Sequence, residues 1–198
     1  MRNQFLRTLA SPTVQAEQER YYGKSRVPNA SDQSQLLGLE EKTFIGARDS
    51  FYLATIGNDS WPYIQHRGGP IGFVQVLGET QLAFGDYNGN RQLLSTGNVK
   101  ANQRVALFFM DYAARERLKI IGHSEVLTPA EAGDLTLKLV VPKGAVIERV
   151  FRIDVLGFDW NCPKYITPRF TAAEVEQAVA PLKARIAELE AALNRTNT

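Results

Sequence analysis

The stretch QHRGGPIGFVQVL, residues 65–77, sets an arginine directly before two glycines and a proline, inside a run that otherwise reads as strand. Strand interiors avoid Gly, which adds an entropic cost, and Pro, which cannot donate to the ladder. The interruption therefore asks for a reason. Arg67 carries a guanidinium, the preferred fork for a phosphate. Gly68 and Gly69 have no Cβ and let main chain approach something flat or charged, and Pro70 follows them. On a strand, Gln65 and Arg67 share one face while His66 takes the other. The set suits a phosphorylated, planar ligand lying against a strand edge. A β-bulge at a barrel corner, with Arg67 in solvent, fits the same residues.

A second stretch, DYNGNRQLLSTGN at 86–98, supplies a tight turn and then a helix start. The expected helix carries Asn90, Arg91 and Gln92 in its first turn, where exposed N–H groups and the positive dipole end favour an anion. Arg91 adds a full charge, and Ser95 stands one turn on as a donor. A plain hairpin turn with an Asn cap accounts for these residues too. No Gly-Lys-Ser/Thr follows, so the loop is not of the Walker type. The strand-to-helix glycine fingerprint of a dinucleotide fold is also absent.

These residues need a scaffold, and the sequence reads as β-rich from residue 51. FYLATIG, PYIQHR, IGFVQVL, TQLAFGD, RVALFFMD and RLKIIGHSEVL are short β-branched or aromatic segments divided by turn signals such as GNDSWP and DYNGN. Such spacing predicts an antiparallel meander or barrel rather than a βαβ sheet. Residues 1–50 read as helix and loop, with Ser11 as a cap and Pro12 in the first helical position. A polar connector spans 27–38 and a short helix falls within 40–50. Helices are also expected over 89–101 and, capped by Thr128, over 128–140. Strand returns over 145–160. In the last 28 residues Val175, Val179, Leu182, Ile186, Leu189 and Leu193 follow alternating spacings of four and three. That is the seam of a coiled coil, or the apolar face of a helix packed on its own barrel.

Composition narrows the function classes. The 198 residues, 22% charged and 44% hydrophobic, fit an ordinary globular protein with a sizeable core. A net charge of +2 without a polybasic block gives no argument for nucleic acid. No apolar run reaches the roughly 20 residues of a membrane span, and the first residues lack the apolar core of a secretory signal. One cysteine, Cys162, excludes an internal disulfide framework and fits a reducing cytoplasm. With two separated histidines, His66 and His123, it offers too few soft ligands for structural zinc. Cys162 reads as a small hydrophobe rather than a nucleophile. The histidines read as structural or surface groups; Trp61 and Trp160 fit either stacking on a ligand ring, for which Trp160 is a candidate, or core packing, the commoner fate of a tryptophan. No catalytic residue is assigned.

The segments QHRGGPIGFVQVL, LAFGDYNGNRQLLSTGNV and RLKIIGHSEVL, in that order and spacing, resemble the pyridoxamine 5'-phosphate oxidase-like family over residues 40–170. The ending DWNCPKYITPRF is similar to that of one bacterial branch. The resemblance implies a mainly β fold with flanking helices, the split β-barrel that binds flavin mononucleotide (FMN). It divides the chain into N-terminal helix and connector (1–39), barrel (40–170) and C-terminal amphipathic helix (171–198). It implies that Arg67-Gly68-Gly69-Pro70, with Gln65 and His66, lies along the flavin ring. The family's Tyr-x-Ser-Arg-Lys-like phosphate loop corresponds to Tyr87, Asn88, Gly89, Asn90, Arg91 and Gln92; Arg91 matches, while Asn90 and Gln92 replace Ser and Lys. Lys119 stands where the family often has a basic residue. The family forms homodimers with flavin at the interface, which makes the Trp160 to Arg169 arm a candidate lid over the partner's flavin. The expected function is a cytoplasmic FMN oxidoreductase acting on a small molecule, with no nucleic acid or membrane partner. A flavin sensor without turnover, or a split barrel using haem or deazaflavin, are the alternatives. The chain lacks the Arg-containing ending of the true oxidases, so vitamin B6 oxidation is not expected.

Overall fold

The computed structural model describes residues 3–27, 35–160 and 163–196. Its first helices start where local side chains satisfy the free N–H groups of a helix end. In α1 (Gln4–Leu9) the Asn3 side chain accepts from the Leu6 N–H at 2.8 Å. In α2 (Pro12–Tyr22) Ser11 accepts from the Val14 N–H at 3.3 Å, and Gly23 ends the helix at φ +73°, as the sequence predicts for its start. The polar connector falls largely on 28–34, outside the described residues. α3 (Leu39–Gly46) is held by Glu41, which accepts from the Gly38 N–H at 2.9 Å through one oxygen and from the Trp160 indole at 2.8 Å through the other.

The strands follow: β1 (Ser50–Ile56), β2 (Pro62–Gly68), β3 (Gln75–Val76) and β4 (Gln81–Tyr87). α4 (Leu94–Ala101) then leads to β5 (Arg104–Asp111) and β6 (Glu116–Leu127). Two short helices, α5 (Pro129–Ala132) and α6 (Asp134–Lys138), precede β7 (Ile147–Trp160), and α7 (Ala172–Thr196) ends the fold. All neighbours are antiparallel in one sheet ordered β2-β1-β5-β6-β7-β4-β3. The sheet curls into a split β-barrel, mainly β with flanking helices, as the sequence led one to expect.

Alternation builds the core. Phe51 and Leu53 of β1, Leu107 and Phe109 of β5, Leu118 and Ile120 of β6, and Phe151 and Ile153 of β7 are buried on the inner face. Phe51 is the hub, 4.9 Å from Phe109, 5.2 Å from Phe84 and 5.9 Å from Phe73. Burying a side chain of this size stabilises by roughly 1.5–3 kcal/mol. The two long strands turn the corner at a register shift after Ile121, where a Cβ on Gly122 would lie 2.2 Å from the Asp154 carbonyl oxygen. Only glycine admits that approach.

Three elements differ from the sequence expectation. Of residues 71–77 only Gln75 and Val76 are strand. Pro70 and left-handed Gly72 form a turn closed by the Phe73 N–H on the Pro70 carbonyl at 2.9 Å, and it drives Phe73 into the core. The helix expected over 128–140 is two, divided at Gly133, whose φ of +52° breaks the helical path. The helix expected from 89 begins at Leu94, because Arg91 and Leu93 are left-handed. The long C-terminal helix is present, but its seam is not packed on the barrel: Leu182, Ile186, Leu189 and Leu193 are all more than half exposed. Among the described residues no helix is long and apolar enough to cross a membrane.

Two tests follow from this packing. A Cβ on Gly69 would sit 2.6 Å from the Phe73 ring. Gly69→Ala is expected to lower stability in urea denaturation by about 1–3 kcal/mol, the usual cost of overpacking, with or without a ligand. The second concerns Asp111, which accepts from Arg48 at 2.6 Å and from the Ala114 N–H at 2.8 Å. Burial opposes its ionisation, but these bonds outweigh burial and hold its carboxyl below the usual range. The pair therefore stabilises the fold above the ordinary carboxylate pKa and loses that contribution as pH falls through the lowered one. Melting temperatures across acidic pH should fall less steeply for Asp111→Asn than for the parent.

Candidate functional site

The outward and inward alternation of β2 decides which of its side chains can act together. Tyr63, Gln65 and Arg67 turn inward, whereas Ile64 and His66 turn outward and are exposed. The inward set lines a cavity of about 170 Å³ with Asp86 and Tyr87 of β4, Gly89 to Leu93 of the following loop, the first turn of α4, and Arg149 of β7. Three arginines, Arg67, Arg91 and Arg149, face one aspartate in that lining.

Arg67 is the centre of the arrangement. Its Nη1 donates to Asp86 Oδ1 at 2.5 Å, and Arg149 Nε donates to Asp86 Oδ2 at 2.7 Å. Asp86 is buried, so both its oxygens are committed to guanidinia. The Arg67 guanidinium also lies 5.2 Å from the Phe151 ring, within cation–π range. Its Nε is buried without a hydrogen-bond partner. A buried donor left unmade costs about 1–3 kcal/mol, part of which the contact with the Phe151 ring offsets. Burial alone would lower the Arg149 guanidinium, but the bonds to Asp86 and Glu148 outweigh it and hold its pKa above the usual value.

The loop 88–93 brings the second charge. Its shape comes from Asn90, whose side chain accepts from the Gln92 N–H at 3.1 Å, and from Asn88, which pairs with Val146 through main chain and side chain. Arg91 and Leu93 have φ of +60° and +56°. Non-glycine residues there cost about 1–3 kcal/mol each, strain that concentrates at functional sites. Leu93 is the N-cap of α4 and offers no side-chain oxygen to its first turn. The helix end therefore presents uncapped N–H groups and its positive dipole to the cavity. Ser95 is buried within that turn and donates to Gln65 Oε1 at 3.0 Å. Burial also raises the Tyr87 phenol above its usual pKa, and its hydroxyl donates to the Val140 carbonyl at 2.7 Å.

Of the residues singled out from the sequence, Gln65, Arg67, Tyr87, Asn90, Arg91, Gln92 and Ser95 meet at this cavity, with Gly89. Asn90, Arg91 and Gln92 do so from the loop before α4 rather than from its first turn. Asn88 shapes the loop from outside the lining. Gly68, Gly69 and Pro70 end β2 and begin the turn; the space a Cβ would fill is taken by His66 at Gly68 and by Phe73 at Gly69. Gly69 thus has an internal packing reason, whereas the exposed His66 ring beside Gly68 can give way. His66 lies on the opposite face, edge-on to Tyr52 at 5.6 Å. Lys119 shares that outer face, paired with Asp159 at 2.8 Å and 4.7 Å from the Phe5 ring. Trp160 is engaged with Glu41 and edge-on to Phe44 at 4.8 Å, as expected of a core tryptophan, whereas Trp61 is 75% exposed. His123 is exposed, and Cys162 lies outside the described residues. Arg169 stacks on Tyr112 at 5.0 Å, and neither residue lines the cavity.

Sequence reasoning missed Tyr63, Asp86 and Arg149. Asp86 directly precedes the quoted Tyr87, and Arg149 pairs with it in register across β4 and β7. A charged residue at an inward strand position was the available signal, legible only once the pairing was known. The outer face of β1, β2, β5 and β6 carries a separate apolar hollow of about 500 Å³ lined by Tyr52, Ile64, Phe108 and Lys119, among others.

The fold and cavity together define a split barrel with a cationic pocket across its split. Residues 38–144, more than half of the chain, match the family model described as pyridoxamine 5'-phosphate oxidase, and the chain belongs to that family. Among solved structures it is similar to HupZ of Group A Streptococcus, at 16% identity over 68% of this chain and 99% of that one, with a TM-score of 0.47. An FMN-binding protein from Syntrophomonas wolfei shares 10% identity over 61% of this chain and 83% of its own, at a TM-score of 0.44. The haem storage protein HutZ from Vibrio cholerae shares 14% over 62% and 93%, at 0.41. Likeness at this level identifies no ligand. No curated protein matches the sequence.

Asp86→Asn should test the pocket's wiring. Weakening the acceptor between two guanidinia is expected to destabilise the fold by about 1–3 kcal/mol, read by urea denaturation. It should also tighten the binding of inorganic phosphate, because the cations lose their internal counter-charge.

Proposed function

We propose that the chain is an FMN-binding protein whose cavity takes the flavin phosphate, and that it acts as an oxidoreductase on a small molecule. The observation that carries this reading is the meeting of Arg67 and Arg91 in the lining of one cavity at the uncapped N-terminus of α4. A phosphate supplies the acceptors those donors lack. A volume of about 170 Å³ suits a phosphate and part of a sugar chain, while whole cofactor sites usually run to roughly 300–1,000 Å³. The ring system would then lie outside the cavity, along the rim of β2. Family membership supports the same cofactor.

In this reading Arg67 and Arg91 bind the phosphate, and α4 contributes main-chain donors. Asp86 and Arg149 hold Arg67 in place, and Ser95 orients Gln65 at the rim. When bound, flavin supplies the redox chemistry, and the chain supplies position and electrostatics. We place the protein in the cytoplasm and as a homodimer. The exposed apolar surface around Tyr52, Ile64 (64% exposed) and Phe108 supports a partner there. A partner would also give His66, Lys119 and the Trp160 to Arg169 arm a flavin to meet, from the other chain.

One observation favours a second reading, a flavin carrier or sensor without turnover. The carboxylate lining the cavity, Asp86, has both oxygens occupied by arginines, so it is no free proton donor or acceptor. Turnover of reduced nicotinamide with an electron acceptor would decide for the enzyme.

The test is an absorbance spectrum of the purified protein with mass analysis of the heat-released ligand. Flavin bands and the mass of FMN are expected; an intense haem band, or a colourless protein that refuses added FMN, would overturn the reading. Arg67→Ala and Arg91→Ala should each weaken FMN binding by about 1.5–3 kcal/mol, the worth of a charge-assisted bond, measured by fluorescence titration. Unchanged affinity in both would remove the site.

A further inference from the structure

α7 carries an apolar seam that is open to solvent at five of its six residues, Val179 alone being half-buried. Val175, Leu182, Ile186, Leu189 and Leu193 are 49%, 64%, 56%, 52% and 62% exposed. The helix is well begun: Thr171 accepts from the Glu174 N–H at 3.2 Å, and Glu174 accepts from the Thr171 N–H at 2.7 Å. A helix this firmly capped but open along one apolar stripe is an unfinished interface.

The stripe says what finishes it. In heptad terms Val179, Ile186 and Leu193 take position a, and Val175, Leu182 and Leu189 take position d. The four inner layers, Val179 and Ile186 at a with Leu182 and Leu189 at d, have the β-branched-a, leucine-d pattern that favours two parallel strands, while Val175 and Leu193 reverse it at the two ends. The flanking charges agree. Arg185 falls at g and Glu190 at the following e, the pair that meets between parallel helices, and a two-fold axis makes the contact twice. An antiparallel pair matching every layer would instead set Arg185 against Arg185, Lys183 against Lys183 and Glu176 against Glu190. Pro181 falls at position c, on the outside, where it forfeits one backbone hydrogen bond but takes no place in the seam.

We propose that α7 is the interaction element of a second copy of this chain, closing as a parallel two-stranded coiled coil through Val175 to Leu193. The inference stands on α7 and on the homodimer proposed above, and does not depend on the cofactor. Six layers are few for an isolated coil, so the seam acts at the high local concentration that association of the barrels provides.

Cysteine cross-linking of the full-length chain tests it. In a chain carrying Cys162→Ser, Leu189→Cys places a thiol at position d, and Ala184→Cys places one at the outward position f. Under mild oxidation at micromolar concentration the Leu189→Cys chain should form a disulfide dimer several-fold faster than the Ala184→Cys chain. Arg185→Glu added to Leu189→Cys should slow the linking, and Glu190→Arg added to both should restore it. Equal linking at the two positions would overturn the proposal. So would linking only between mixed Val179→Cys and Leu189→Cys chains, which marks an antiparallel pair.

Discussion

The ion pair between Arg67 and Asp86 joins two strands that the sheet keeps far apart. β2 is one edge of the sheet, and β4 lies next to the other edge. No ladder connects them, so the 2.5 Å bond between their side chains closes the split that the hydrogen-bonded backbone leaves open. Arg149 on β7 completes the triad from the strand beside β4. Arg149 also pairs with Glu148, so the closure itself is balanced, and the added positive charge at the pocket is that of Arg91. In the proposed reading a phosphate meets that charge without disturbing the seam, and the geometry that closes the barrel also builds the pocket.

Around this closure the aromatic core and the strained loop have complementary tasks. The stacked rings of Phe84 and Phe151, 5.0 Å apart, floor the guanidinium of Arg67 and keep it from water. Phe73, driven inward by the turn at Pro70 and Gly72, packs beside Phe51 and ends β2 where Arg67 must stand. On the other side of the pocket, Asn90 and the left-handed Arg91 and Leu93 turn the chain sharply enough to aim α4 at the cavity. A loop that began its helix at Asn90 would cover the helix end with its own side chains.

Much of this was legible in the sequence. Five of the six expected strand segments and the Ser11 and Thr128 caps were visible from residue type and period, whereas Arg67 and the Tyr87 to Ser95 loop were joined only through the family resemblance. Gly69 was noticed for a sound reason, its missing Cβ, but the neighbour that needs the space is Phe73. Local pattern records that a side chain is absent and not what fills its place. The start of α4 was misplaced because positive φ at Arg91 and Leu93 is set by tertiary fit, and neither residue favours it. Asp86 and Arg149 escaped notice because their partnership crosses 63 residues of chain. His66 and Lys119, which alternation and register place on the outer face, could join the pocket only across a subunit boundary.

The central claim is that the pocket across the split recognises a phosphate. The most direct measurement is calorimetric titration of the cofactor-free protein with FMN and with riboflavin, which differ by the phosphate alone. The account predicts that FMN binds at least about tenfold more tightly, worth roughly 1.4 kcal/mol, and that the advantage shrinks as salt screens the arginines. Equal affinity for the two, at low and high salt alike, would contradict it.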